Sequence, residues 1–227
     1  MYRVKVDWAP AYELLSSMHA YLGRADRKIM DLGASWAKSV QQQLRPDVAA
    51  ELAIYKDASP AHAAELLVWL CPGERDAAGF VYWVGALSPG ELYEYLAPYV
   101  LDKHAPLLRD LPAQISTLAR LLTAWEEQYF RGLDPAILDG LAADAAAKRA
   151  LVKTMAPREL VELATGGIDY RSAPDVETVL LVPQYHYRPW NVYDLYRGLK
   201  VYQYPVDAVT PVPGTPTPGL LRLTRTC

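Results

Sequence analysis

The residues best suited to chemistry form a short cluster near the carboxyl end of the chain. Residues 185–190 have the sequence YHYRPW, in which three aromatic residues accompany one histidine and one arginine. Aromatic faces with polar ends, next to a cationic guanidinium, suit a planar or anionic small molecule. The predicted ligand-binding residues are Tyr185, Tyr187, Arg188 and Trp190. Trp36 or Trp125 is expected to form the opposite wall, unless all these aromatic residues simply pack on the helices.

No motif of catalysis or of cofactor binding accompanies this cluster. The sequence lacks a nucleophile elbow, a phosphate-binding glycine loop and a His-Glu-x-x-His pair. Its four histidines are far apart along the chain, and Cys71 and Cys227 lack the C-x-x-C spacing. We therefore predict no catalytic residue, no metal site and no cofactor, and we expect that the chain is not an enzyme.

The elements that must position the cluster are mainly helical. Apolar residues recur at spacings of three and four through most of the chain up to residue 166, most clearly over residues 112–131. A second helix is predicted over residues 26–44. Residues 77–87 are apolar on every side, which fits a buried helix or a core strand, and we favour the helix. Residues 88–91, with the sequence SPGE, form a capping box with proline at the first helical position.

Three segments have the patterns of strands. Tyr2, Val4 and Val6 alternate with charged residues, residues 176–182 are rich in β-branched side chains, and residues 199–204 alternate with period two. The amino-terminal strand is expected to join the late strands in one sheet. The predicted fold class is therefore α+β and predominantly α, a helical bundle with a small sheet formed by the N-terminal strand and late strands.

The composition is that of an ordinary soluble globular protein. The chain has 227 residues, of which 52% are hydrophobic and 22% are charged. A formal net charge of -3 argues against this part of the protein gripping a phosphate backbone, because nucleic-acid binding depends on clustered cations. No apolar run reaches the ~20 residues that span a bilayer. The absence of such a run predicts no membrane partner, and two cysteines, too few for a disulfide framework, predict a cytoplasmic protein.

A proline-rich stretch separates the main body from the last residues. Residues 205–219 contain five prolines, and proline fixes φ and removes hydrogen-bond donors, which is typical of a semi-rigid linker. Residues 220–227 have the pattern of the first turns of an amphipathic helix. We predict a mainly helical regulatory domain over 1–204, a linker over 205–219, and the start of a further domain over 220–227.

The chain resembles a family of bacterial transcriptional regulators in three segments. These are VLLVP at 179–183, YHYRPWN at 185–191 and LLRLTR at 220–225. In that family, a mostly helical domain precedes a carboxy-terminal winged helix-turn-helix of the ArsR type. The resemblance implies that residue 220 begins a DNA-binding domain, that DNA is bound through that domain alone, and that the protein is a homodimer.

Three hypotheses for the function follow. The first is a regulatory domain that senses a small organic ligand or mediates dimerisation and passes its state through the proline-rich linker. The second is a structural protein-interaction domain without a small ligand. An enzyme of unknown class ranks last, because the sequence offers no nucleophile, metal or phosphate motif.

Overall fold

The computed structural model describes residues 2–23, 29–55, 64–102 and 108–207. Within these ranges the fold is α+β and predominantly α, as the sequence predicts. Its helices are α1 (Pro10–Leu22), α2 (Gly33–Gln43), α3 (Pro46–Ile54), α4 (Ala64–Leu70), α5 (Ala77–Ala86), α6 (Pro89–Leu96), α7 (Leu111–Gln128), α8 (Pro135–Leu151) and α9 (Pro157–Thr165). Its strands are β1 (Arg3–Val6), β2 (Val176–Gln184), β3 (Val192–Tyr196) and β4 (Gly198–Pro205).

The four strands form one mixed sheet in the order β1-β2-β4-β3. β1 lies parallel to β2, with Val4 opposite Val179, and β2 lies parallel to β4. β3 is antiparallel to β4, with Tyr193 opposite Tyr202. The predicted sheet between the N-terminal strand and the late strands is therefore confirmed.

Helices cover both faces of this sheet. On one face, Val4, Val6, Val179 and Leu181 pack with α8 and α9 through side chains such as Leu160. On the other face, Leu180, Val182 and Val201 belong to a larger core that includes α1, α5 and α7. Side chains alternate between the two faces of a strand, so β2, which is buried on both faces, is a nearly continuous apolar run.

Most of the predicted helices are present, although their ends differ. The capping box before α6 is formed, since the Ser88 hydroxyl accepts from the Glu91 amide and the Glu91 carboxylate accepts from the Ser88 amide. The helix predicted over 26–44 begins at Gly33, whose φ of +67° interrupts a regular helix at that point. Residues 77–87 are helical but not buried all round, because the Tyr82 side chain is 80% exposed.

Strand β3 was not predicted from the sequence. Its residues do not alternate cleanly between buried and exposed, and Tyr193 is 61% exposed, because β3 lies at the edge of the sheet. Gly198, with φ of +72°, lies in the tight turn that reverses the chain into β4. Antiparallel pairing with β4, rather than local pattern, therefore defines this strand.

β4 ends at Pro205, the residue at which the predicted linker begins. The remainder of that linker from residue 208, and the predicted helix over 220–227, lie outside the described residues. In the described part of the chain, no helix combines the length and apolar character needed to cross a membrane. The same residues hold no group of three His, Cys, Asp or Glu side chains placed to ligate a metal.

Candidate functional site

The aromatic loop, residues 185–190, connects β2 to β3 at the carboxyl end of β2. Gln184, the last residue of β2, is fully buried and closes the loop on itself. Its side-chain oxygen accepts from the Tyr187 amide at 2.7 Å, and its side-chain nitrogen donates to the Trp190 carbonyl at 2.9 Å. The middle of the loop and its last residue are therefore tied to one side chain, which restricts the conformation of the loop.

A buried carboxylate from α1 holds the start of the loop. Glu13 is fully buried and accepts from the Tyr185 amide at 3.1 Å and from the His186 amide at 3.1 Å. The same carboxylate also accepts from Nδ1 of the fully buried His186 ring. Three donors thus converge on one acidic side chain that has no contact with solvent, and they compensate the cost of its burial.

The His186 ring continues this hydrogen-bond chain to two helices on the other side. Its Nε2 lies 2.7 Å from the Tyr129 hydroxyl, and the Trp36 indole N–H donates to the same hydroxyl oxygen at 2.9 Å. With the ring proton on Nδ1, bonded to Glu13, the Tyr129 O–H donates to Nε2. We call this set the buried relay: Trp36, Tyr129, His186 and Glu13.

The environment of Tyr129 keeps its hydroxyl protonated. Burial raises the pKa of Tyr129 far above its ordinary value, more than the hydrogen bond from Trp36 lowers it, and the nearby Glu13 carboxylate raises it further. The Tyr129 hydroxyl therefore keeps its proton and donates a hydrogen bond to His186 in this tautomer. The buried relay joins α1, α2, the end of α7 and the aromatic loop into one unit.

The two tryptophans predicted as an opposite wall both lie behind the loop. The Trp36 ring is centred 5.4 Å from the His186 ring, and the fully buried Trp125 ring is centred 4.7 Å from that of Tyr129. The Trp125 indole donates to the Ser17 hydroxyl at 2.9 Å. Trp36 therefore supports the loop by direct contact with His186, and Trp125 supports it only through Tyr129.

The structure brings two of the four predicted ligand residues into direct contact. The Arg188 guanidinium lies 3.8 Å from the centre of the Tyr185 ring, and its Nε donates to the Tyr185 carbonyl at 3.2 Å. Arg188 Nη1 donates to the Asp207 carboxylate at 3.0 Å, although the Asp207 side chain is 57% exposed. Arg188 therefore links the loop to the chain that follows β4.

The other two predicted residues lie further apart. Tyr187 is half-buried, and its carbonyl accepts from the Trp190 amide at 2.9 Å. Trp190 is 48% exposed and donates through its indole N–H to the Ile29 carbonyl at 2.9 Å. The loop thus presents Trp190 towards solvent beside Ile29, while Arg188 and Tyr185 form a separate stacked pair.

A second polar network lies at the carboxyl end of β1. The Asp7 carboxylate accepts two hydrogen bonds from Arg75, at 2.5 and 2.9 Å, and one from the Tyr12 hydroxyl at 2.8 Å. Burial tends to raise the pKa of Asp7, but the hydrogen bonds from Arg75 and Tyr12 outweigh it, so the pKa lies below its ordinary value. Asp7 is therefore a charged partner for Arg75 at neutral pH.

Sequence reasoning missed Glu13, Tyr129 and Gln184, the residues that hold the loop. Glu13 and the two loop amides that it accepts from are separated by 172 and 173 positions, so spacing along the chain carries no signal of the contact. One local signal existed, because Glu13 stands among residues that are otherwise apolar or small on the buried α1. A charged side chain in such a position usually has a specific partner.

Two clefts of about 620 and 510 Å³ lie elsewhere on the described part of the protein, and neither is lined by residues of the aromatic loop. No protein-family model, curated protein or solved structure matches this chain. The resemblance of its sequence to ArsR-type regulators stays a prediction. The contacts described above define an α+β domain in which a rigidly held aromatic loop adjoins the chain that follows the last strand.

Proposed function

We propose that the chain is the regulatory domain of a bacterial transcriptional regulator of the ArsR-like class. In this proposal the aromatic loop binds a small organic anion, and the proline-rich residues 205–219 connect the domain to a DNA-binding domain. The resemblance of three sequence segments supports the class of protein. The contact between the loop and the chain after β4 supports the route by which a signal passes.

The observation that carries the proposal is the pairing of Arg188 with Asp207. Arg188 stacks on Tyr185 within the loop, and its remaining hydrogen bond reaches Asp207, two residues beyond β4. The backbone follows the same course, since the Val206 amide donates to the Gln184 carbonyl at 3.0 Å. The proposed ligand site and the start of the proposed linker therefore share one side chain.

A ligand carboxylate or phosphate that binds Arg188 competes with Asp207 for the same guanidinium. Arginine binds such groups in a fork of two parallel hydrogen bonds, which a more exposed single contact to Asp207 does not match. Ligand binding then releases Asp207 and the chain beyond it. A ligand shifts an equilibrium between two states only by the difference in its affinity for them. In this mechanism the ligand binds more tightly to the state in which the Arg188–Asp207 bond is broken.

The experiment uses the polypeptide encoded by the complete reading frame. Its affinity for DNA from its own promoter is measured by fluorescence anisotropy, with and without benzoate as the probe anion. Arg188→Ala is expected to change the DNA affinity by about fivefold or more and to abolish the response to benzoate. Arg171→Ala, at a guanidinium whose side chain is 84% exposed, is the matched control and should leave both unchanged.

Two results contradict the proposal in different ways. A reading frame that encodes no winged-helix sequence after residue 220 refutes the DNA-binding part. A DNA-binding protein in which Arg188→Ala behaves like Arg171→Ala refutes the role of the aromatic loop, and it leaves the class of regulator standing.

A homodimer is the second part of the proposal, and exposed apolar side chains favour it. Ile29 and Trp190 are 54% and 48% exposed and are joined by a hydrogen bond, and Tyr193 nearby in the chain is 61% exposed. Exposed aromatic residues beside an aliphatic one are typical of interfaces. Light scattering is expected to give the mass of a dimer, and Trp190→Ser should shift it towards the monomer. A monomeric wild-type chain at high concentration contradicts this part.

A further inference from the structure

An open cleft of about 620 Å³ lies along the outer edge of the sheet, away from the aromatic loop. Its floor is formed by β1 and by Leu180 of β2. β1 is accessible there because it is an edge strand with one neighbour. One wall is the end of α4 with Trp69 and the connection that follows it to α5, and the other is the end of α8 with Val152. We call this the edge cleft. Its volume is in the range of sites for small molecules.

The charges that line the edge cleft are mostly positive. Lys5, Arg75, Arg149 and Lys153 contribute cations, and Asp7 is the acidic residue among the lining side chains. This excess contrasts with the whole chain, whose formal net charge is -3. Positive charges gathered in a concave site raise the local concentration of anions.

Asp7 cannot neutralise this excess because it is already paired. Both of its oxygens bind Arg75, and the Tyr12 hydroxyl donates to it as well. Lys5, Arg149 and Lys153 form no ion pair with a carboxylate among the described residues. Three cations of the edge cleft therefore lack a counter-charge in this part of the protein.

The positions of these cations are partly fixed by neighbouring groups. Lys5 lies over the Trp69 ring, with its ammonium 5.5 Å from the ring centre. Arg149 donates through Nε to the Val6 carbonyl at 3.2 Å, which leaves its two terminal nitrogens for a ligand. Trp69, Val152 and Leu180 add apolar surface to the lining of the cleft.

We propose that the edge cleft binds an organic dianion, either a phosphate monoester or a dicarboxylate, with a small apolar group. In this arrangement Arg149 and Lys153 hold the doubly charged group, and the apolar part lies against Trp69 and Val152. The site is independent of the aromatic loop and of the regulatory function proposed above. Binding is electrostatic at an open surface, so it weakens as the salt concentration rises.

A small anion fits the edge cleft better than an added peptide strand. β1 has four residues, which offers few backbone groups for pairing. The Val6 carbonyl, which faces this edge, is already occupied by Arg149. Exposed charged residues such as Lys5, and a short length, are features by which edge strands avoid pairing with another chain.

The test is isothermal titration calorimetry of the 227-residue chain at low ionic strength, with phenyl phosphate, phenylsuccinate and inorganic phosphate as probes. Saturable one-to-one binding of phenyl phosphate or phenylsuccinate is expected, tighter than that of inorganic phosphate. The double substitution Arg149→Ala with Lys153→Ala should weaken binding by about tenfold or more. Lys153→Gln alone, at an exposed side chain that no packing requires, should weaken it by about fivefold.

The controls separate this site from general surface charge and from the aromatic loop. The titrations are carried out in the Arg188→Ala background, so that the aromatic loop, where an anion is proposed to bind Arg188, does not contribute to the measured binding. In that background, Lys38→Ala with Arg171→Ala removes the same charge elsewhere and should leave binding unchanged. Three results overturn the proposal: no saturable binding, equal weakening by the two double variants, or inorganic phosphate binding as tightly as the organic probes. An acidic peptide that binds where phenyl phosphate does not also overturns it in favour of strand addition.

Discussion

Replacement of Glu13 by alanine tests whether the buried relay determines the stability of the fold. The carboxylate is fully buried and accepts from the amides of Tyr185 and His186 and from the His186 ring. Glu13→Ala removes the acceptor and leaves these three donors in a site without contact to solvent. Water cannot easily replace the lost bonds, because the surrounding side chains, including Trp36 and Tyr129, are closely packed.

The expected loss follows from the cost of unpaired buried groups. Each unsatisfied buried donor costs about 1–3 kcal/mol, and Glu13→Ala leaves three of them. Partial relaxation of the aromatic loop limits the sum, so we expect the free energy of unfolding to fall by about 3–5 kcal/mol. That is a large fraction of the about 5–15 kcal/mol typical of a folded domain.

Urea unfolding followed by circular dichroism measures this loss. Glu13→Gln keeps an acceptor oxygen but places a donor group against the loop amides, so its loss should be smaller than that of Glu13→Ala. Glu127→Ala removes an exposed carboxylate from α7 and should change the free energy of unfolding by less than about 0.5 kcal/mol. A loss below about 1 kcal/mol for Glu13→Ala refutes the reasoning, since unpaired buried donors cannot cost so little.

Three further predictions concern a cap, an acid and a glycine. Asp134→Ala removes the side chain that caps α8 and should lower the free energy of unfolding by about 1 kcal/mol in urea titrations. The lowered pKa of Asp7, held by Arg75 and Tyr12, stabilises the fold above the ordinary pKa of about 4, so stability should decline as the pH falls below that value. Gly166→Ala forces a left-handed φ of +68° on alanine and should cost about 1 kcal/mol, measured by the same unfolding.

Each of these predictions has a matched control. Asp139→Ala, at an exposed carboxylate within α8, should leave stability almost unchanged, and an equal loss at both positions contradicts the capping role. Asp7→Asn should show a weaker decline below about pH 4 than the wild type, whereas an identical decline assigns the acid sensitivity to other groups. Gly132→Ala meets no atom within 4 Å and has no positive φ, so an equal cost there contradicts the conformational argument.

Local patterns predicted much of the secondary structure because they report local physics. The capping box at Ser88 formed as expected, since it joins groups three residues apart. The alternation of Tyr2, Val4 and Val6 gave a strand with one buried face. Local pattern failed for β3, because that edge strand is defined by pairing with β4.

The candidate site was predicted in part. The aromatic loop was singled out from its composition, and Trp36 does lie against it through His186. The contacts that hold the loop were not predicted, because Glu13 and Tyr129 come from helices far away along the chain. The edge cleft was not predicted either, because its residues are far apart along the chain. Lys5 belongs to β1, and Lys153 belongs to the chain just after α8.

The sequence by itself determined the helical and strand periods, the fold class and the composition of the aromatic loop. These properties arise from interactions between residues a few positions apart, which the order of residues states directly. The tertiary structure alone decided that Glu13 meets His186, that Arg188 meets Asp207, and that unpaired cations gather beside β1. Burial and proximity in space create these pairings, and neither is a property of any short segment of the chain.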